Sequence, residues 1–240
     1  MAEKKTVLVW GATGAQGGSV VSHLLASGLF NVRGATRNKD SDAAKALAEK
    51  GVEIVQANQH SAEDIAKANA GAYGVFAVTN FWDPESMGQE VDLGRALIKG
   101  AVDAGVKHFV WSTLPDAGAI SGGKFTGIKH FDEKAQVDAL VAGAGFEFTT
   151  FFRAGFYMEN FQTFFPPKAA EDGTLVFSLP IPADGKLDMY SARADTGGYV
   201  LEIFKHPETH GNGAVIDSIG ETITPAALVE QFSKATGKPA

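Results

Sequence analysis

Glycines at positions 11, 14 and 17 sit in Val7-Leu8-Val9-Trp10-Gly11-Ala12-Thr13-Gly14-Ala15-Gln16-Gly17-Gly18-Ser19-Val20. They stand between a short β-branched apolar run and an apolar pattern at helical spacing. That arrangement turns the chain sharply and packs a helix close to a strand. It also leaves bare N–H groups at the helix start, where the helix dipole favours a negative group such as a pyrophosphate. The spacing is G-x-x-G-x-x-G rather than G-x-G-x-x-G, and an ordinary strand–helix turn would also use glycine. Placement directly after a clean first strand favours the phosphate reading. Arg37 closes the next apolar run, twenty positions beyond Gly17. An acidic residue there would bind the ribose 2′-hydroxyl of NAD, whereas a guanidinium suits the 2′-phosphate of NADP. We therefore read NADP over NAD, with a solvated surface arginine as the plainer alternative.

Ser112, His130 and Lys134 are the residues that bear on mechanism. Many reductases with such a turn carry a Ser after strand five and Tyr-x-x-x-Lys on the next helix. There the Lys holds the ribose and lowers the Tyr pKa for proton transfer. Here the helix reads His130-Phe131-Asp132-Glu133-Lys134, so the Lys is present and His takes the Tyr position. An i, i+4 pair shares a helix face, and both side chains are expected to point at the site. His130 is either a proton donor near neutral pH or a polar lining residue. Thr79-Asn80, after strand four, are small polar groups suited to a ribose or pyrophosphate, although Asn also favours turns for its own reasons. Phe156 and Tyr157 follow strand six within an aromatic run, either as core or as cover for a nicotinamide, with Tyr157 a second candidate proton donor. His206 and His210 lie four apart, but Pro207 and Gly211 suggest a loop and no third ligand is placed, so no metal site is expected.

The elements that must position these groups follow from the apolar pattern. Strands are expected at Thr6 to Trp10, Phe30 to Thr36, Val52 to Gln56, Gly74 to Thr79, Lys107 to Ser112 and Glu147 to Phe152. Helices are expected between them: one carrying Val20 to Leu25, then Ala43 to Lys50, one opened by a Ser61–Asp64 capping box, Met87 to Ala104 and Thr126 to Ala142. Six apolar strands alternating with helices make a doubly wound parallel sheet of the Rossmann kind. In such a sheet the ligand lies across the C-terminal strand ends. Arg37, Thr79, Asn80, Ser112, Thr113 and Arg153 all fall at or near those ends. This reading gives a Rossmann domain over residues 1–153. A smaller α+β lobe over 154–240 would hold strands at Leu175 to Leu179, Leu187 to Ser191 and Ala214 to Ile219 and helices at Asp195 to Phe204 and Pro225 to Ala235.

Composition bounds the rest. The 240 residues are 45% hydrophobic and 20% charged, with a formal net charge of −7 and no cysteine. Disulfides, thiolate metal sites and thiol switches are thereby excluded. The acidic balance and lack of a basic cluster give direct nucleic-acid binding no electrostatic support. No apolar run reaches the roughly 18 residues of a membrane span, and the first strand starts too early for a signal peptide. A soluble cytoplasmic or nuclear protein is expected.

The glycine turn, Thr36-Arg37-Asn38, Gly71-Ala72-Tyr73-Gly74-Val75-Phe76-Ala77-Val78-Thr79-Asn80, His130 to Lys134 and Tyr157-Met158-Glu159-Asn160 occur together in this order. In these motifs, across residues 7–160, the chain resembles the NmrA-like branch of the atypical short-chain dehydrogenase/reductases. The resemblance implies NADP(H) held by Thr13, Gly14, Ala15, Gln16, Gly17, Gly18, Arg37, Asn38, Thr79, Asn80, Phe81, Lys134, Phe156, Tyr157, Met158 and Glu159. It adds Asn58 and Gln59 near the adenine, Asn58 replacing an Asp, whereas a Lys after strand four is replaced here by Asp92. Members lack the catalytic Tyr, and several act as sensors that bind NADP and a regulatory protein. The family commonly continues with further helical structure, so the smaller lobe resembles a shortened one. Two functions remain: an NADP-responsive regulator with a protein partner, or an NADPH-dependent reductase of a quinone, enone or similar carbonyl.

Overall fold

A computed structural model describes residues 3–240. In chain order the elements are β1 (Thr6–Trp10), α1 (Ala15–Ser27), β2 (Asn31–Thr36), α2 (Asp42–Glu49), β3 (Glu53–Gln56), α3 (Ala62–Asn69), β4 (Gly74–Ala77), α4 (Glu90–Asp103), β5 (His108–Thr113), α5 (Ala117–Ile120), α6 (Lys129–Ala142) and β6 (Phe148–Ala154). Then come β7 (Phe156–Tyr157), a 3-10 turn (Met158–Gln162), β8 (Lys168–Ala169), β9 (Leu175–Val176), β10 (Leu187–Tyr190), α7 (Ala192–Lys205), α8 (Pro207–His210), β11 (Asn212–Ser218), β12 (Glu221–Ile223) and α9 (Pro225–Thr236).

Among the described residues the main sheet is parallel and seven-stranded, in the order β11-β6-β5-β4-β1-β2-β3. Every residue of β4 and β5 is buried, as expected of central strands covered on both faces. Side chains alternate between two cores. Val7 and Val9 of β1 pack with Val20 and Leu24 of α1 and Val200 and Ile203 of α7. Leu8 and Trp10 face the other way, into Ile65 of α3, Leu97 of α4 and Val137 of α6. The strand order reverses between β1 and β4, which opens a crevice at their C-terminal ends.

The second half departs from its expected place. The strand near Ala214 to Ile219 and the helix near Asp195 to Phe204 were expected in a separate lobe beyond residue 153. Instead β11 pairs parallel with β6, and α7 packs along α1 in the main domain. Gly197 permits that approach: a Cβ there would lie 2.1 Å from the carbonyl oxygen of Ser19. Its N–H donates instead to Ser19 Oγ at 2.9 Å. The smaller lobe is therefore built from two stretches, around the β12-β10-β7 sheet, the β8–β9 hairpin and α9. Phe156, Phe161, Phe165, Phe177 and Phe232 pack ring against ring there. Boundaries elsewhere shift for local reasons. Gly88, at φ 76°, delays the start of α4 to Glu90. Residues 207–210 form a short helix opened by proline rather than a loop.

Candidate functional site

Gly11, at φ 66°, ends β1 and swings the chain back over the strand. A Cβ on Gly17 would lie 2.1 Å from the Gly11 carbonyl oxygen, so this glycine is demanded by the turn itself. A larger residue there distorts the turn, beyond merely obstructing a ligand. Gly14 is the N-cap of α1 and, having no side chain, caps nothing. The first N–H groups of the helix thus remain available to an anion.

This turn forms one wall of a cavity of about 580 Å³ along the C-terminal ends of β1, β2, β3 and β4. Of the residues expected to bind cofactor, Gly11, Thr13, Gly14, Ala15, Gln16, Gly17, Arg37, Asn38, Asn58, Gln59, Thr79, Asn80 and Tyr157 line it. Each loop is pinned by its own side chains. The Asn38 and Asn58 carboxamides accept from N–H groups two residues on. Gln59 Nε2 donates to the Val78 carbonyl at 2.9 Å, joining the β3 and β4 loops. Ser61 caps α3 as expected, but the Asp64 carboxylate accepts from the Asn58 N–H at 2.9 Å rather than closing a reciprocal box. Gly18 is outside the lining, in the first turns of α1.

The mechanistic trio is not assembled as expected. Lys134 is buried behind Thr79: its Nζ lies 2.5 Å from Glu90 Oε1 and donates to the Thr79 hydroxyl at 2.8 Å. The Thr79 hydroxyl donates in turn to Glu90. Burial lowers the Lys134 pKa, and the attraction of Glu90 opposes that shift only in part. His130 points elsewhere, into an aromatic group with Phe81 and Trp82 at ring separations of 5.7 and 5.1 Å. Its pKa is lowered by burial first and by Lys134 second. Neither His130 nor Lys134 lines the cavity.

A different linkage replaces the expected one. Ser112 Oγ donates to Gln16 Oε1 at 2.8 Å, and Gln16 Nε2 donates to the Tyr157 hydroxyl. The Tyr157 hydroxyl, which also meets that of Tyr190, stands at the cavity, and burial raises its pKa. Phe156 faces the aromatic core of the smaller lobe. Met158 is exposed, in the 3-10 turn. Glu159 accepts from the Ser191 hydroxyl and from the N–H groups of Ala192 and Arg193, all within 3.1 Å, and so caps α7. Arg153, next to last in β6, lies near Asp138, whose carboxyl burial pushes up to about 6. Asp92 is exposed on the first turn of α4.

Sequence reasoning missed Glu90 and Asp83. Glu90 lies 44 positions from Lys134, too far for any spacing rule to join them. Asp83-Pro84-Glu85 does carry a signal: two carboxylates follow the β4 end, opposite the arginine that follows β2. Asp83 Oδ2 meets Arg37 Nη1 at 2.5 Å.

Comparison with known proteins agrees with the fold. The family model described as "NmrA-like family" matches residues 3–240. The NmrA-like family domain-containing oxidoreductase notA' of Aspergillus versicolor is 36% identical over 247 residues, covering 95% of this chain and 68% of that protein. The crystal structure of NmrA, a negative transcriptional regulator, in complex with NADP superposes with a TM-score of 0.88 at 26% identity, covering 99% of this chain and 73% of that one. The NAD complex of NmrA gives the same TM-score and coverage at 27% identity.

Proposed function

The chain belongs to the NmrA-like family, and from that premise we propose that it binds NADP(H) in the crevice and acts as a regulator responsive to nicotinamide redox state. The residues present fit the dinucleotide: a glycine turn with free N–H groups, an arginine at the β2 end and a cavity of about 580 Å³. In this reading residues 13–17 hold the pyrophosphate, Arg37 and Asn38 the 2′-phosphate, Asn58 and Gln59 the adenine, and Thr79 and Asn80 a ribose. When bound, the cofactor supplies hydride chemistry or simply reports its oxidation state.

One observation carries the regulatory reading. Lys134 is neutralised by Glu90 behind Thr79, and His130 is turned into an aromatic group, so α6 presents no proton donor to the cavity. The likeness to NmrA, a transcriptional regulator, supports it. A protein partner would read the cofactor-dependent state.

The second reading is an NADPH-dependent reductase of a quinone, enone or similar carbonyl. Tyr157 favours it, its hydroxyl standing at the cavity between Gln16 and Tyr190, and so do the fungal relatives named oxidoreductases. An anaerobic NADPH-oxidation assay over quinones and enones separates the two, using wild type, His130→Phe and Tyr157→Phe. We expect NADP binding in all three proteins and no turnover above background. Turnover that Tyr157→Phe abolishes would put the reductase in the regulator's place.

A further inference from the structure

We propose that Asp83, backed by Glu85, is a cofactor-specificity determinant that competes with a 2′-phosphate for Arg37, so that NADP, unlike NAD, loosens the loop 80–89. The proposal deepens the NADP(H) reading above and rests on it.

Arg37 does not wait free at the β2 end. Its Nη1 lies 2.5 Å from Asp83 Oδ2 and 3.9 Å from Glu85 Oε2. The two partners are held very differently. The Arg37 side chain is 60% exposed, that of Asp83 only 11%. Asp83 is fixed by its own turn: its N–H donates to the Asn80 carbonyl, its carbonyl accepts from the Ser86 N–H, and its Oδ1 accepts from the Glu85 N–H. Asp83 and Arg37 line the same cavity. A 2′-phosphate approaching Arg37 must therefore displace Asp83 or settle beside a carboxylate with a second one close by. Both alternatives oppose its binding through like-charge repulsion. NAD carries no such group and meets no such opposition.

The same loop also bears Phe81 and Trp82, whose rings pack tilted against His130 of α6, and Trp82 reaches Phe164 at 6.0 Å. Breaking the Arg37–Asp83 pair removes the shorter of the two ties between this loop and the β2 end. The identity of the dinucleotide thereby becomes visible at an exposed aromatic surface, where Trp82 and Phe164 are 54% and 62% exposed.

The test is calorimetric titration of wild type, Asp83→Asn and Glu85→Gln with NAD and NADP, reading the ratio of the two dissociation constants. Asp83→Asn keeps the oxygen that accepts the Glu85 N–H, and Glu85→Gln changes an exposed side chain, so it carries the test if the first variant does not fold. We expect the preference for NADP over NAD to rise about three- to tenfold in Asp83→Asn, as loss of one partly exposed ion pair allows, and less in Glu85→Gln. Trp82 supplies the second readout, taken as the difference in emission between wild type and Trp82→Phe, because Trp10 lines the cavity and answers either dinucleotide. NADP should change that difference and NAD should not. A wild type that binds NADP but shows an unchanged or lowered ratio in both variants overturns the proposal and leaves the cofactor reading standing. Equal changes in the Trp82 emission with both dinucleotides overturn the loosening of the loop. A wild type that binds no NADP overturns the reading on which the proposal rests.

Discussion

His108 shows what the fold demands of a single side chain. It opens β5 fully buried, with Nε2 3.2 Å from Thr150 Oγ1 and its ring 4.9 Å from that of Phe204. Nδ1 has no partner among the described residues. Burial pushes its pKa down to about 4, and Lys5 and His210 push in the same direction. The unfolded chain, with an ordinary histidine near 6.5, takes up the proton first. Stability is therefore fully present above about 6.5 and is lost as pH falls toward 4, by at most about 3 kcal/mol. Urea unfolding between pH 7.5 and 4.5 should show this slope in wild type and a shallower one in His108→Gln; equal slopes would remove His108 from the account. The residue scale is also where reading from sequence failed most instructively. Lys134 and His130 were legible as a pair on one helix face, but their partners come from other elements. Glu90 draws one inward and Trp82 holds the other aside, and no spacing along the chain encodes either contact.

At the scale of elements, the joint between the two parts of the molecule is a helix terminus. Glu159 leaves the 3-10 turn to meet Ser191 and the first N–H groups of α7, reinforcing the Ser191 cap. Burial raises its pKa, but these hydrogen bonds outweigh burial and hold the carboxyl below the usual range. Glu159→Ala should cost about 1–2 kcal/mol at neutral pH, in the range of lost caps. With a depressed pKa, the carboxylate's contribution is present above the unfolded value and fades as pH falls through the folded one. The deficit of the variant should thus shrink in acid, and chemical denaturation at two pH values checks it. Six strands of the main sheet were legible because each is a short apolar run bounded by turn residues. The seventh was not recognised as theirs. In β11, Val215 and Asp217 alternate with buried or half-buried neighbours, a pattern equally suited to a small antiparallel lobe. Only its register against β6 distinguishes the two.

For the whole molecule, cofactor and fold are coupled because the cavity borrows from both parts, Tyr157 from one and the strand ends from the other. NADP at a hundredfold excess over its dissociation constant should stabilise the protein by about 2.7 kcal/mol. In a chain of this size that is a rise of roughly 5–10 °C in Tm. Arg37→Ala should diminish the rise with NADP more than with NAD, and thermal melts with each dinucleotide decide it. The return of α7 and β11 to the main sheet has a consequence of another kind, in the order of events during synthesis. A ribosome releasing the chain from its N-terminus exposes the glycine turn and α1 early. The apolar side of α1 meets β1 and β2, but the flank that faces α7 stays uncovered until that helix emerges, more than 170 residues later, as the Ser19–Gly197 contact measures. From its own emergence until β11 is made, β6 is an open edge, the kind of strand that recruits other chains. The nascent protein thus carries the apolar β6 edge unpaired for about sixty residues of synthesis, until β11, with its alternating exposed side chains, pairs with it and takes the edge.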